Sequence, residues 1–187
     1  KGLPVPQVLG VSEDGHCYLL SDLGDVSLHQ ALSDWREQGY SEHADSAESA
    51  YALLRRTLRT LPHFQVEGAQ GLDFERLLSP NTFCKRSVMF DLNYFKYCFL
   101  KTADLPFDEM RLEDDFEALT KDLVEGVDNE AFFLYRDFQS RNVMVCDTNS
   151  YMIDFQGGRR GPLPYDVASF LWQASAGYPQ ALRDRLI

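Results

Sequence analysis

The spacing of apolar and polar positions changes character along this chain. The opening, KGLPVPQVLG, reads as a Pro-broken lead into a strand. VSEDGHCYLLSDL then reads as a hairpin, with Asp14 and Gly15 as the turn and HCYLLS as the returning apolar strand. A short helix is predicted from Ser27 to Gln38, closed by Gly39. The clearest helix spans Asp45 to Thr60. Asp45 and Glu48 have capping-box spacing, Tyr51, Leu54, Leu58 and Leu61 recur at helical intervals, and Pro62 marks the end. Residues 70 to 102 are dense in aromatics (Phe74, Phe83, Phe90, Tyr94, Phe95, Tyr97, Phe99) and predict one or two helices. Glu113 to Glu125 is another, with Phe116, Leu119, Leu123 and Val124 on one face and an acidic, solvated first turn that suits the helix dipole. After it the period shortens. AFFLY, NVMVC and YMIDF are short apolar strands separated by polar loops, with a turn at Asp147 to Ser150, and a last helix starts at Asp166 and reaches Gln173. The pattern is that of a mixed α+β chain, without internal repeat or low-complexity linker.

Composition narrows the function classes. The 187 residues carry 44% hydrophobic and 25% charged positions, an ordinary globular balance. A net charge of −11 and a pI near 4.7 argue against nucleic acid, because no Lys- or Arg-rich run supplies a basic face; RRTLR at Arg55 to Arg59 suits the last turn of a helix. No stretch approaches the roughly 18 apolar residues of a membrane span, and no signal-peptide pattern opens the chain, so a cytoplasmic location is expected. Cys17, Cys84, Cys98 and Cys146 form no CxxC pair and read as buried free thiols of a reducing compartment. The four histidines are too scattered for a local metal cluster.

The chemistry concentrates in two stretches, LYRDFQSRNVMV and YMIDFQGGRRGPLPYDVASFLW. Asp137 follows strand AFFLY, Asn142 precedes strand NVMVC, and Asp154 ends strand YMID. A hairpin of the last two strands brings Asn142 and Asp154 to one end, and the loop bearing Asp137 faces the same spot. Two carboxylates and an amide oxygen are hard ligands of the kind Mg²⁺ takes alongside substrate phosphates. The order D-x-x-x-x-N and then D-F is the kinase pattern: a first Asp for the attacking hydroxyl, then Asn and Asp for metal. Read as structure alone, Asp137 is a turn residue and Asp154 a strand-end cap.

YRDFQSRNVMV and MIDFQGGRRGPLPYDVASF resemble the aminoglycoside phosphotransferase and choline-kinase-like family, and within it the bacterial branch acting on cell-wall amino sugars such as N-acetylmuramate. The resemblance implies a protein-kinase-like fold, with residues 1–25 as the end of a small lobe and its hinge and 26–187 as a large helical lobe. It implies ATP as co-substrate, Mg²⁺ as cofactor and a small hydroxyl-bearing acceptor. It makes Asp137 the catalytic base, Asn142 and Asp154 the metal ligands, and Gln139 a neighbour of the transferred phosphate. YLLSDLGDVSL resembles the adenine-holding strand and hinge, giving that role to backbone groups of Ser21, Asp22 and Leu23. Residues 65 to 130 stand where relatives carry an insertion that helps to build the acceptor site. Asp166 matches an Asp that braces the catalytic loop by accepting its backbone N–H bonds. Two departures follow. Tyr135 replaces the His that relatives carry two residues before the base, a support position its ring and hydroxyl can fill. The Gly-rich phosphate loop and strand lysine are absent: GGRRG follows the metal Asp, and Lys1 is the only lysine upstream of the hinge. The chain is therefore expected to be part of a longer kinase acting on a sugar or amino sugar, and to be a poor kinase or inactive when assayed alone. An aminoglycoside kinase and a catalytically weak, pseudokinase-like nucleotide-binding module are the alternatives.

Overall fold

The computed structural model describes residues 2–41, 47–125 and 132–187. Lys1 and the cap expected at Asp45 lie outside them.

The first hairpin forms as its turn residues dictate. Strand β1 (Val8–Val11) pairs antiparallel with β2 (Tyr18–Leu20), and Gly15 takes the left-handed conformation in the turn, φ +70°. Both strands are exposed along their whole length. The next helix is divided in two, α1 (Leu28–Ala31) and α2 (Ser33–Glu37). Ser27 and Gln30 form a capping box at its start, and Gly39 closes it with φ +65°.

Helix α3 (Ala47–Ala69) does not stop at Pro62 but continues for two further turns. Pro62 is exposed, whereas Leu61, Phe64 and Gln65 are almost fully buried. Burial of that face outweighs the lost backbone bond and the clash that a mid-helix proline imposes. RRTLR consequently lies mid-helix, not in a last turn. Helix α4 (Lys85–Phe95) runs on into a π-helical turn, Lys96–Leu100. Helix α5 (Glu109–Val124) begins earlier than its apolar residues suggest, because Asp108 caps it by accepting from the Arg111 N–H. Its packed face is also different: Phe116 and Thr120 are buried, while Leu119 and Leu123 are 44% and 41% exposed. Thr120 is inside because its hydroxyl donates to the Met89 sulfur of α4 at 3.3 Å. The Lys96 ammonium ties the same two helices together, bonding Glu109 at 2.8 Å and Glu113 at 2.7 Å.

The short strands follow. Among the described residues β3 (Phe133–Leu134) pairs with β6 (Arg159–Arg160), and β4 (Val143–Cys146) with β5 (Asn149–Met152), all antiparallel. The turn between β4 and β5 is tighter than expected, since Asn149 and Ser150 already belong to the ladder and Asp147 alone has positive φ, +56°. The Val26 carbonyl accepts from Val145 on one edge of this hairpin, and the Pro4 carbonyl from Met152 on the other. GGRRG is a packing element: a Cβ on Gly158 would overlap the Phe133 ring, and one on Gly161 would come 2.8 Å from Leu134. Helix α6 (Leu163–Trp172) starts three residues before Asp166, and α7 (Gln180–Leu186) follows it.

One principal core joins these parts. The Phe64 ring of α3 meets Phe133, Tyr135 and Phe155 at centroid distances of 5.5, 5.4 and 5.7 Å, and Tyr135 meets Phe138, which stacks on Phe170 of α6. Such pairs contribute about 0.5–1.5 kcal/mol each beyond their buried area, and they seat the loop between β3 and β4 on α3 and α6. The cysteines are unpaired as expected, but Cys17 and Cys98 are exposed, not buried.

Candidate active site

The loop from Tyr135 to Asn142 is held by its backbone. Arg136 takes a left-handed conformation, φ +74°, which aims two consecutive N–H groups at one acceptor. Tyr135 N–H donates to Asp166 Oδ2 at 2.9 Å and Arg136 N–H to Asp166 Oδ1 at 2.8 Å. Gln65 Nε2 of α3 donates to the same Oδ2 at 2.7 Å. Asp166 is completely buried, and burial pushes its carboxyl up to about 6, against the three donors that favour the charged form. Farther along, Gln173 Oε1 at the end of α6 accepts from the Ser140 N–H and hydroxyl, at 3.1 and 2.9 Å.

This frame sets three oxygen-bearing side chains together. Asn142 Nδ2 donates to both the main-chain oxygen and Oδ2 of Asp137, at 3.0 Å each, and Gln139 Nε2 donates to Asp137 Oδ1 at 2.8 Å. With its amide nitrogen so engaged, Asn142 presents Oδ1 without a donor among the described residues. The hairpin brings Asp154 alongside: Val143 pairs with Met152, and the Ile153 N–H donates to the Asn142 carbonyl at 3.0 Å. Asp154 lies two residues beyond the end of β5, not within the strand, and its φ of +65° turns it out of the ladder. Asp137 and Asp154 are exposed and line one cleft of about 490 Å³, together with Asp91 and Tyr94 of α4, Arg136 and Tyr165. Tyr135, wholly buried beneath them, donates its hydroxyl to the Ile153 carbonyl and, at 3.2 Å, to the Asn142 carbonyl. Burial raises the Tyr135 phenol far above its usual range, and the Asp154, Asp137 and Asp166 carboxylates raise it further. The neighbourhood is thus strongly negative, with Arg136 already paired to Asp91 at 2.9 Å.

No group of three or more His, Cys, Asp or Glu gathers to hold a metal among the described residues. The residues that could hold one are Asp154 and the free Asn142 amide oxygen, hard oxygens in a negative field of the kind Mg²⁺ takes while keeping waters and phosphate oxygens in its remaining positions. Ser21 is engaged with β1: its N–H donates to the Gln7 carbonyl, and its Oγ accepts from the Gln7 N–H, both at 2.9 Å. Asp22 turns its carboxylate onto the Gly24 N–H at 2.8 Å, and among the described residues no hydrogen bond joins Ser21, Asp22 or Leu23 to the Asp137 cluster.

Sequence reasoning misses Gln65, Gln173 and the Arg136–Asp91 pair. Only Gln65 left a signal: it sits four residues after Leu61 on the apolar face of α3, where a polar side chain needs a buried partner.

A model of the phosphotransferase enzyme family matches residues 1–187. The chain belongs to that family. It is similar to the N-acetylmuramate/N-acetylglucosamine kinase of Neisseria meningitidis serogroup B, 26% identical over 174 residues, which cover 91% of this chain and 46% of that protein. The protein of the same name from Pseudomonas aeruginosa is 23% identical over 193 residues, covering 96% of this chain and 47% of its own length. The chain therefore spans about half the length of these relatives. The structure of the gentamicin-APH(2'')-IIa complex superposes with a TM-score of 0.55 at 16% identity, over 99% of this chain and 58% of the other. The fold is accordingly α+β and protein-kinase-like, with the helical lobe predominating. Among the described residues no helix is long and apolar enough to cross a membrane.

Proposed function

We propose that this chain carries the catalytic loop and metal-binding loop of a cytoplasmic small-molecule kinase, transferring the γ-phosphoryl group of ATP to a hydroxyl of an amino sugar. The observation that supports this reading most directly is the Asp137–Asn142 pair with Asp154 beside it on the wall of an open cleft. In this reading an acceptor hydroxyl oxygen forms a bond to the γ-phosphorus as the bond to the ADP oxygen breaks, and Asp137 receives the hydroxyl proton. The donors from Gln139 and Asn142 fix the Asp137 carboxylate in one orientation, which is what positioning catalysis requires. Asn142 Oδ1 and Asp154 would hold Mg²⁺, which when bound neutralises phosphate charge. Gln139 keeps a second amide N–H for the transferred phosphate. Residues 1–25 are the end of the small lobe with the hinge. Because the Ser21 N–H is bonded to Gln7, the adenine contacts fall to the Ser21 carbonyl and to the backbone of Asp22 and Leu23.

The acceptor class follows the names of the relatives, N-acetylmuramate and N-acetylglucosamine. Transfer of labelled γ-phosphate to these sugars and to gentamicin is the test, by a longer protein that carries this chain with an upstream phosphate loop and strand lysine, and by its Asp137→Asn variant. Positioned bases usually contribute ~10²–10⁴-fold, so the variant is expected to lose at least about 99% of the rate while still binding nucleotide. Retention of more than a tenth removes Asp137 from its role. A longer protein carrying this chain together with the phosphate loop and strand lysine that binds Mg·ATP but phosphorylates none of the three sinks the kinase reading.

A further inference from the structure

RRTLR is the densest basic run of an acidic chain, and the chemistry of the cleft leaves it unused. It stands midway along α3, where the exposed Arg55, Arg56 and Arg59 wall a groove of about 440 Å³ together with Tyr51, Ala52 and Thr60. The groove shares no lining residue with the Asp137–Asp154 cleft. Arg55 and Arg59 stand one turn apart on the same face, so their charges repel and weaken the helix. Among the described residues no carboxylate forms an ion pair with any of the three, in a chain of net charge −11. Positive charge gathered on one face, against the balance of the whole chain, calls for an anion.

The groove is ordered by bonds that leave those charges unneutralised. Arg56 Nη1 donates to the Thr148 carbonyl in the β4–β5 turn, a neutral acceptor that fixes the side chain. Next along the helix, the buried hydroxyls of Thr57 and Ser150 share a 2.6 Å hydrogen bond between α3 and β5. The Tyr51 hydroxyl donates to the Arg185 carbonyl at 3.1 Å, and the Arg185 guanidinium lies over the Tyr51 ring at 4.2 Å. Helix α3, the β4–β5 turn and α7 therefore meet around one basic groove.

Geometry and charge decide the kind of anion. A guanidinium is a planar fork that engages two oxygens of a phosphate at once. Residues four apart on a helix have Cβ atoms about 5–6 Å apart, close enough for Arg55 and Arg59 to grip one phosphoryl group from two sides. Arg56, beside them, is left to serve a second anionic group. The volume is that of a small-molecule pocket. A long polyanion would run out of the groove onto a surface of net negative charge, and beyond about 8 Å of physiological salt the three arginines no longer attract it.

We propose that this groove is a binding site for a phosphorylated small molecule, with one phosphoryl group between Arg55 and Arg59 and a second anionic group at Arg56. The site lies outside the kinase reading and stands or falls apart from it.

Pyrophosphate, titrated into the protein in EDTA at about 0.15 M ionic strength, is the probe, followed by calorimetry and backbone amide NMR. The amides of Arg55 to Thr60, and that of Asn149 beyond the carbonyl that Arg56 holds, are expected to shift along one saturating curve. Inorganic phosphate should bind more weakly. Arg55→Gln combined with Arg59→Gln should abolish binding. Arg55→Lys combined with Arg59→Lys keeps both charges but not the forks, and should weaken binding about tenfold, the scale of one hydrogen bond between charged groups. Asp137→Asn should bind as wild type does, and thermal melting controls for folding throughout. Absence of a saturating shift at α3 overturns the site. So does a lysine variant that binds as tightly as wild type, since the groove then holds only a diffuse ion atmosphere. A changed curve in Asp137→Asn would place the phosphate in the cleft instead. A DNA oligonucleotide that binds more tightly than pyrophosphate at equal phosphate concentration would make the groove a nucleic-acid surface. A dimer in sedimentation that the glutamine variant dissociates would give it to a second copy of the chain.

Discussion

At the scale of single residues, Asp166 links the site to pH. Its carboxyl titrates near 6 in the folded protein against an ordinary 3.8. Between those values the folded state binds more protons than the unfolded state, so this group's contribution to stability is largest in acid and declines as pH rises from about 4 to 6. Above 6 it is constant, and the loss across the window is on the order of 3 kcal/mol. Urea unfolding across that range is expected to show the extra slope in wild type and not in Asp166→Asn, even though the variant is less stable at every pH because its amide opposes one of the loop N–H donors. Equal slopes would remove Asp166 as the titrating group. At this scale the sequence was informative about Asp137, Asn142 and Asp154, because their spacing around two period-2 strands is local. It was silent on Asp91, which reaches Arg136 across a separation of 45 residues. No periodicity carries information over that distance.

At the scale of elements, two positions test what holds the helices and ladders. Pro62 sits exposed inside α3 and cannot donate to the turn before it. Pro62→Ala restores that bond and is expected to stabilise the protein by about 2 kcal/mol, below the ~3 kcal/mol helix penalty because the unfolded chain also gains freedom. A lower urea midpoint would show that the proline ring packs usefully. Gly161→Ala should do the opposite. The new methyl would come 2.8 Å from Leu134, whose side chain is fully buried, so a cost of about 1–3 kcal/mol is expected in the same measurement. These two positions also mark where sequence reasoning stopped short. Pro62 was a sound stop signal by local rules, but the helix is held by Leu61, Phe64 and Gln65, whose partners lie elsewhere in the chain. GGRRG has the composition of a phosphate loop, and only the proximity of Phe133 and Leu134 shows its glycines to be packing residues.

For the molecule as a whole, order is unevenly distributed. The hairpin β1–β2 exposes Val8, Leu9, Val11, Tyr18, Leu19 and Leu20 and has no buried face, whereas β4–β5 buries Val143 and Met152 completely. A two-stranded ribbon without a packed face is only marginally stable. Hydrogen exchange on this chain is therefore expected to release the β1 and β2 amides at low protection and to hold those of β4 and β5 near the global limit. Equal protection would mean that the hairpin is covered in solution.

The hydroxyl of Tyr135 reaches the carbonyl of Asn142, itself a candidate metal ligand, and that of Ile153, the residue before Asp154, the other. A single phenol is therefore the strut under both loops, and the two cannot drift independently. In any collection of variants around this ring, the affinity for Mg·ATP and the rate of transfer should fall in parallel, as one coordinate and not two. Substitutions on the cleft wall, at Asp91 or Tyr94, lie off that strut and should scatter away from the line. A plot of one quantity against the other would thus sort residues that carry the frame from those that only touch what is bound in it.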